Sequence, residues 1–403
     1  MKRPLSGVFR VAAVTLVGLG ASVNAVRAGL PIQEVRLLDG TKIPPSKIER
    51  IVTRLMQAGR VTGLAVAVIN GGEIVYTEGF GKRNVEQGLP LTTATVMSGA
   101  SFTKSVFAYL VMQLVEEKTI DLDRPVEQYL DKPLPEYEEY KDLAGDERYH
   151  RITARMLLSH TSGFPNWRWF TDDQKLRIYF TPASKYAYSG EGIRLLQRVV
   201  EGVTKRSVGD LIQERVFDRF GMARTGMVWR TDFESDYALG YDEAGKPLGH
   251  SKRTRAEAAG SMDTTISDFA RFLRGVVRGE GITKATRDAM LDPQVRIVSK
   301  QQFPTLSSEA TDDNDEIGLS YGLGWGLFWL PYGKAFFKEG HDDGWENHSV
   351  CYEAPKSCIV LMSNSSNGDS IFKEVLEKVI GDRFTPWYWE NYIPYGSRGS
   401  KKK

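Results

Sequence analysis

Apolar residues recur along this chain with two different periods, and the switches between them outline its architecture. Helical spacing over 48–56 predicts a short amphipathic helix. The runs Gly63-Leu64-Ala65-Val66-Ala67-Val68-Ile69 and Glu73-Ile74-Val75-Tyr76-Thr77-Glu78-Gly79-Phe80 then flank Asn70-Gly71-Gly72, a hairpin signal, and predict two strands. After residue 101 the spacing turns helical again, with Phe107, Leu110, Val111, Leu114 and Val115 on one stripe. From about 121 to 255 the pattern is helical and loop-rich, with its clearest helix over 192–203. Helices also follow from Ser267-Asp268 to Val277 and over 283–291. Strand character returns over 321–329, 334–340, 347–352 and 357–362, before a last helix at 371–380. Strands at both ends with helices between them predict an α/β (α+β) fold. Its antiparallel sheet, flanked by helices, is built from 30–120 and 256–390. An all-helical domain over 121–255 is inserted between these, and 391–403 is a basic tail.

With 403 residues, 41% of them hydrophobic, the chain can bury one large core or two modest ones. Its 53 Lys and Arg against 51 Asp and Glu are mixed along the sequence, so nothing points to a nucleic-acid partner. Lys2, Arg3 and Arg10 precede an apolar run over 11–23 and small residues near Ala25 and Ala28, the pattern of a secretory signal over 1–25. The run is short for a full membrane span; the alternative is an uncleaved anchor. Cleavage would leave a periplasmic or secreted protein with no stable span. Cys351 and Cys358 flank a hairpin bend centred on Ala354-Pro355, and stand opposite each other either as a disulfide or as two free thiols in a packed sheet. The acidic run 312–316 lacks the glycine and spaced ligands of a calcium loop and reads as a solvated loop.

One stretch brings a nucleophile and a base together. On a helix starting near Ser101, Ser101 and Lys104 lie three apart on one face. An amine desolvated by a core can act as a base near neutral pH, and the free N–H groups at a helix start suit a developing oxyanion. The bland reading of Ser101 is a helix cap. Ser-x-x-Lys occurs twice more: Ser370/Lys373 reads as a helix-capping serine, and Ser400/Lys403 lies in the basic tail. Further along, Tyr186-Ala187-Tyr188-Ser189-Gly190 precedes the helix at 192, and Lys338-Glu339-Gly340 ends a strand.

In the order Ser-x-x-Lys, Tyr-x-x, Lys-x-Gly the chain resembles the serine β-lactamase and penicillin-binding protein superfamily, closest to its class C and esterase branch. The resemblance covers roughly 63–380. Leu157-Leu158-Ser159-His160-Thr161-Ser162-Gly163, the segments 182–196 and 338–345, and Tyr321-Gly322-Leu323-Gly324-Trp325 support it. In the third motif Lys338 is preferred to His341 as first residue, because Gly340, Gly344 and Trp345 then follow at the family's spacing. The resemblance implies a β-lactamase/transpeptidase-like fold and a serine hydrolase working through an acyl-enzyme. Ser101 would attack an acyl carbon, and Lys104 or the phenolate of Tyr188 would take its proton. Lys338 would lower the phenol pKa and meet a substrate carboxylate. Gly340 would let substrate lie along the strand edge, and the N–H groups of Ser101 and His341 would form the oxyanion hole.

Two positions depart from the pattern. Gly190 stands where many relatives have a substrate-orienting Asn, and Glu339 where many have Thr or Ser; both favour an ester, amide or peptide bond over a β-lactam. The alternatives are a D-alanyl-D-alanine carboxypeptidase, a class C-like β-lactamase, or a penicillin-binding sensor that acylates without turnover. No cofactor or metal is expected, since the oxyanion strand and its turn explain His341-Asp342-Asp343. The partner would be a small or peptide-like acyl substrate. His160 is expected to bond within its own loop, and Trp167-Arg168-Trp169 either lines the cleft or packs a surface loop.

Overall fold

A computed structural model describes Met1 and residues 33–397. The signal-like segment 1–25 (apart from Met1), Ser400/Lys403 and the rest of the basic run 398–403 lie outside the described residues. Nine strands form one antiparallel sheet: β1 Gly63–Asn70, β2 Glu73–Asn84, β3 Leu89–Pro90, β4 Val295–Arg296, β5 Ser320–Tyr321, β6 Gly326–Leu330, β7 Gly333–Asp342, β8 Trp345–Tyr352 and β9 Ser357–Ser363, in the spatial order β4-β5-β6-β7-β8-β9-β1-β2-β3. The two ends of the chain meet where β9 pairs with β1, Val360 opposite Ala67.

The near-continuous apolar run of β1 follows from burial on both faces. Ala65, Ala67 and Ile69 point into one apolar cluster, and Leu64, Val66 and Val68 into the other. Helices α1 (Pro45–Gly59) and α5 (Asp369–Val379) cover the second face through Ile48, Val52, Ile371 and Val375. Helices α2 (Phe102–Glu116) and α4 (Ile266–Arg278) cover the first. α2 is buried all round from Phe102 to Leu114, not on one stripe. It lies between the sheet and the helical stretch that follows, so an apolar helix with no wet side is the stable arrangement.

Between α2 and α4 the chain is mostly short helices and turns, with α3 (Gly190–Thr204) the longest. The stretch is not all-helical, because Gly240–Tyr241 pairs with Pro247–Gly249. Its apolar residues, such as Leu157, Leu196 and Phe217, join the cluster that contains Phe107 and Phe272. The strand expected over 321–329 is broken into β5 and β6 by a turn in which Gly324, at φ +87°, sits where a Cβ would come 2.3 Å from that of Ala108 on α2. A side chain there would push the sheet off the helix that carries Ser101.

Cys351 and Cys358 are directly opposite in the β8–β9 register and are joined as a disulfide. At the far end the chain does not trail off at 391: the Asn391 side chain bonds both the N–H and the C=O of Phe303, and Tyr392 is buried.

Candidate active site

Ser101 occupies the position just before α2, yet its hydroxyl makes no capping bond. Lys104 Nζ lies 3.0 Å from Ser101 Oγ and 2.5 Å from the carbonyl oxygen of Ala259. The preceding turn is held by Gly99 N–H donating to Met262 O (2.8 Å) and Thr103 Oγ1 donating to Ala100 O (2.6 Å), with Ala100 forced to φ 43°. An alanine in the left-handed region is uncommon and persists only where its surroundings over-determine it. The other serine expected to cap a helix does not: Ser370 sits inside α5 and donates to Asn367 O (2.6 Å), while Lys373 turns away to Glu377.

Burial drives the Lys104 pKa well below the ordinary lysine value, and the nearby charges of Lys338 and Arg194 push the same way against Glu339. A neutral amine there keeps an N–H for the Ala259 carbonyl and a lone pair for the serine proton.

Tyr188 is buried, with both Lys104 Nζ and Lys338 Nζ 5.0 Å from its ring centroid. Lys338 Nζ is 3.3 Å from its hydroxyl. The expected lowering of the phenol pKa does not occur. Burial raises it, outweighing the pull of Lys338 and the hydrogen bonds from Ser101 and Lys338. Tyr188 therefore rests as a neutral phenol.

His160 differs from expectation too, because its bonds leave its own loop. Its carbonyl accepts Ala187 N–H (2.8 Å) and its Nδ1 accepts Ser189 N–H (3.2 Å), which grips Tyr188 on both sides. Burial first, then the lysine charges, hold this imidazole neutral, as the accepting Nδ1 requires.

Lys338 and Glu339 change the expected recognition chemistry. The side chain of Lys338 is wholly buried, and its ammonium reaches Glu339 Oε1 (2.8 Å), Glu339 O (2.9 Å) and Tyr188 Oη (3.3 Å). An ammonium has three donors, so none remains for a substrate carboxylate. Burial opposes the charge on Lys338, but Glu339 and Tyr188 outweigh it and raise its pKa. Gln302 Nε2 donates to the same Glu339 oxygen (2.9 Å).

The strand edge beside Ser101 is open, because β6 pairs with β7 only from Gly333 to Phe337. The two-residue turn after Asp342 closes the hairpin on the pair Asp342–Trp345. Alternation then turns the N–H and C=O of His341 and Glu339 towards the open edge. Ser101 N–H has no partner among the described residues. The two amides can serve a common oxyanion. The missing side chain of Gly340 makes room for neighbouring protein: a Cβ there would lie 3.0 Å from Gly99 O and 3.3 Å from Phe102 N. The imidazole of His341 is exposed and bonds Glu346 (2.7 Å), which raises its pKa to about 9.

Gly190 does not border the cavity that Ser101 opens on. A Cβ on it would fall 2.4–2.6 Å from three atoms of the Trp167 ring, and its N–H is held by Asn166 O (3.0 Å) and Oδ1 (3.1 Å). It has helical, not positive, φ. Gly190→Asn is therefore expected to displace Trp167, lower stability by about 1–3 kcal/mol and give no gain in β-lactam acylation. A melting curve and the acylation rate for nitrocefin check both halves.

Ser101, Lys104, Tyr188, Gly340 and His341 share one cavity of about 1000 Å³. Its wall includes Trp167 and Trp169, as the cleft reading of that loop expects. It also includes Trp387, Glu390 and Tyr392 from the C-terminal segment, which hydropathy alone does not mark out.

The family model described as Beta-lactamase matches residues 48–379. The D-aminopeptidase of Gluconobacter oxydans (strain 621H) is 28% identical over 363 residues, 85% of this chain and 63% of that protein. A β-lactamase from Pseudomonas fluorescens is 24% identical over 338 residues, 80% of this chain and 87% of that one. Among solved structures, the octameric penicillin-binding protein homologue from Pyrococcus abyssi superposes with a TM-score of 0.67 at 22% identity, covering 86% of this chain and 80% of its own.

Proposed function

Because the chain belongs to the β-lactamase family of serine hydrolases, we propose that Ser101 is the nucleophile of an acyl-enzyme mechanism acting on an ester, amide or peptide bond. The observation that carries this reading is the buried, pKa-depressed amine of Lys104 at 3.0 Å from Ser101 Oγ. Ser101 Oγ attacks the carbonyl carbon while its proton passes to Lys104 Nζ. The oxyanion is met by Ser101 N–H and His341 N–H, a contribution of about 2.7–4 kcal/mol per donor in comparable sites. The bond to the leaving group breaks as that group takes a proton, for which the neutral hydroxyl of Tyr188 is the nearby relay. Lys338 holds that hydroxyl, and the proton that Lys104 took from Ser101 returns to the phenol, leaving both groups neutral. Water then cleaves the acyl-enzyme by the reverse proton path and restores Ser101.

The taken-up donors of Lys338 speak against substrates anchored there by a carboxylate, as penicillins and C-terminal D-alanyl peptides would be. The D-aminopeptidase similarity agrees with amide or peptide cleavage. A signal-like segment at 1–25 and the Cys351–Cys358 disulfide support a periplasmic or secreted location.

Intact-mass analysis over time, after a fluorophosphonate and after penicillin, tests the reading. One stable fluorophosphonate adduct is expected, with slow or no penicillin acylation and turnover of simple esters. A lasting penicillin adduct without ester turnover would instead support the sensor reading. No adduct with either reagent and no ester turnover would overturn the hydrolase assignment.

A further inference from the structure

The large exposed aromatic side chains bordering the cavity are Trp169, Phe170 and Phe303, whereas Phe372, Trp387 and Tyr392 on its C-terminal wall are buried. Trp167 and Trp169 stack with centroids 4.8 Å apart and planes 7° from parallel. The guanidinium of Arg194 lies 4.8 and 5.4 Å from the two rings, while Glu257 holds it at 2.7 Å. Trp167 is fixed from below, because it fills the space left by Gly190 and reaches within 5.8 Å of Lys104 Nζ. Outward from this anchored ring the surface stays aromatic through Trp169 (46% exposed) and Phe170 (73%), and Phe303 (37%) adds an exposed ring beside Tyr188. All three border the cavity, and Phe303 packs edge-on against Tyr188 at 5.8 Å. Large aromatic faces left wet beside a cavity mark a binding surface.

Most of the charges bordering the cavity are already answered, while Arg255 is exposed and has no ion pair among the described residues. Lys104 is held towards its neutral form, Lys338 is satisfied by Glu339 and Tyr188, and Arg194 by Glu257. Of the cavity's other carboxylates, Asp342, Asp343, Glu346 and Asp369 lie towards the β7–β8 hairpin and the start of α5, and Glu339 and Glu390 are paired with Lys338 and His348.

We infer that the acyl half of the substrate carries an uncharged apolar group, aromatic or alkyl, which docks on the wall formed by Trp167, Trp169, Phe170 and Phe303. The inference rests on the acyl-enzyme reading of Ser101. The acyl half is the part that stays bound between the two chemical steps, so a fixed wall beside the nucleophile holds it through both, whereas the leaving half must depart. Trp169 and Phe170 then determine specificity by contact.

The test is kcat/KM of the full chain for p-nitrophenyl acetate, butyrate and hexanoate, in the natural protein and in Trp169→Ala, Phe170→Ala and the double variant. A buried methylene is worth about 0.8 kcal/mol; on a partly open wall kcat/KM should rise about threefold per methylene. The double variant should lower the hexanoate-to-acetate ratio by about tenfold or more. Tyr388→Ala, which removes a ring 74% exposed that does not border the cavity, should leave that ratio unchanged. A ratio near one in the natural protein, or an unchanged ratio in the double variant, overturns the inference. The rate of labelling by a small fluorophosphonate separates the causes. If Ser101 labels but the ratio is flat, only the apolar subsite is wrong; if it never labels, the hydrolase reading falls first. Labelling of the variants at the natural rate shows that they are folded.

Discussion

Ser101→Ala abolishes fluorophosphonate labelling and lowers ester turnover by about 10⁴-fold or more, since removing the nucleophile leaves only the binding and oxyanion contributions. Ser370→Ala changes neither, because Ser370 lies within α5 with its hydroxyl on Asn367 O and its Lys373 on Glu377. The pairing of variants matters because both serines satisfy Ser-x-x-Lys. Only Ser101 has its lysine at hydrogen-bond distance, 3.0 Å away. Intact mass after labelling and an ester assay measure both; labelling that survives in Ser101→Ala would remove the proposed nucleophile altogether.

Lys104→Arg is expected to be as inactive as Lys104→Ala, each about 10²–10⁴-fold down in kcat/KM, the range for a positioned general base. A guanidinium keeps its proton at any working pH, so it preserves charge but cannot accept from Ser101. The natural enzyme should show the matching pH dependence. The neutral amine is the active form, so kcat/KM falls as pH drops through the Lys104 pKa and levels off above it. Burial places that limb well below the 10.5 of a free lysine. Tyr188→Phe separates the two base assignments. If the phenolate were the base, the alkaline-rising limb would vanish with the hydroxyl; with Lys104 as base the limb persists and only the rate drops. An arginine variant with near-normal activity would contradict the role of Lys104.

The neutral state of Tyr188 and the arrest of Lys338 belong together physically. For side chains buried as these two are, a lone phenolate or a lone ammonium is costly. The protein places Glu339 next to Lys338, so the ammonium keeps its charge within a pair and the phenol keeps its proton. The residue that departs from the family's usual Thr or Ser thus acts on Lys338, through 2.8 Å.

Much of the framework was legible in the residue pattern, because its causes are local. Period two and period three-to-four follow from backbone geometry, so β1, β2, β7, β8, β9, α4 and α5 lie where hydropathy puts them. The Ser101–Lys104 pair was legible for the same reason: residues three apart on a helix are neighbours wherever that helix is packed. The order of the serine, tyrosine and lysine motifs likewise pointed to the family. What only the tertiary structure decided depends on groups far apart in sequence. Trp167 fills the space of Gly190, Glu339 and Tyr188 take up the donors of Lys338, and His160 grips the two amides flanking Tyr188. Charge states belong to this second class. The same lysine and tyrosine would titrate normally in a peptide, and it is the burial of Lys104 and Tyr188 between sheet, α2 and the helical stretch that drives the amine pKa down and the phenol pKa up.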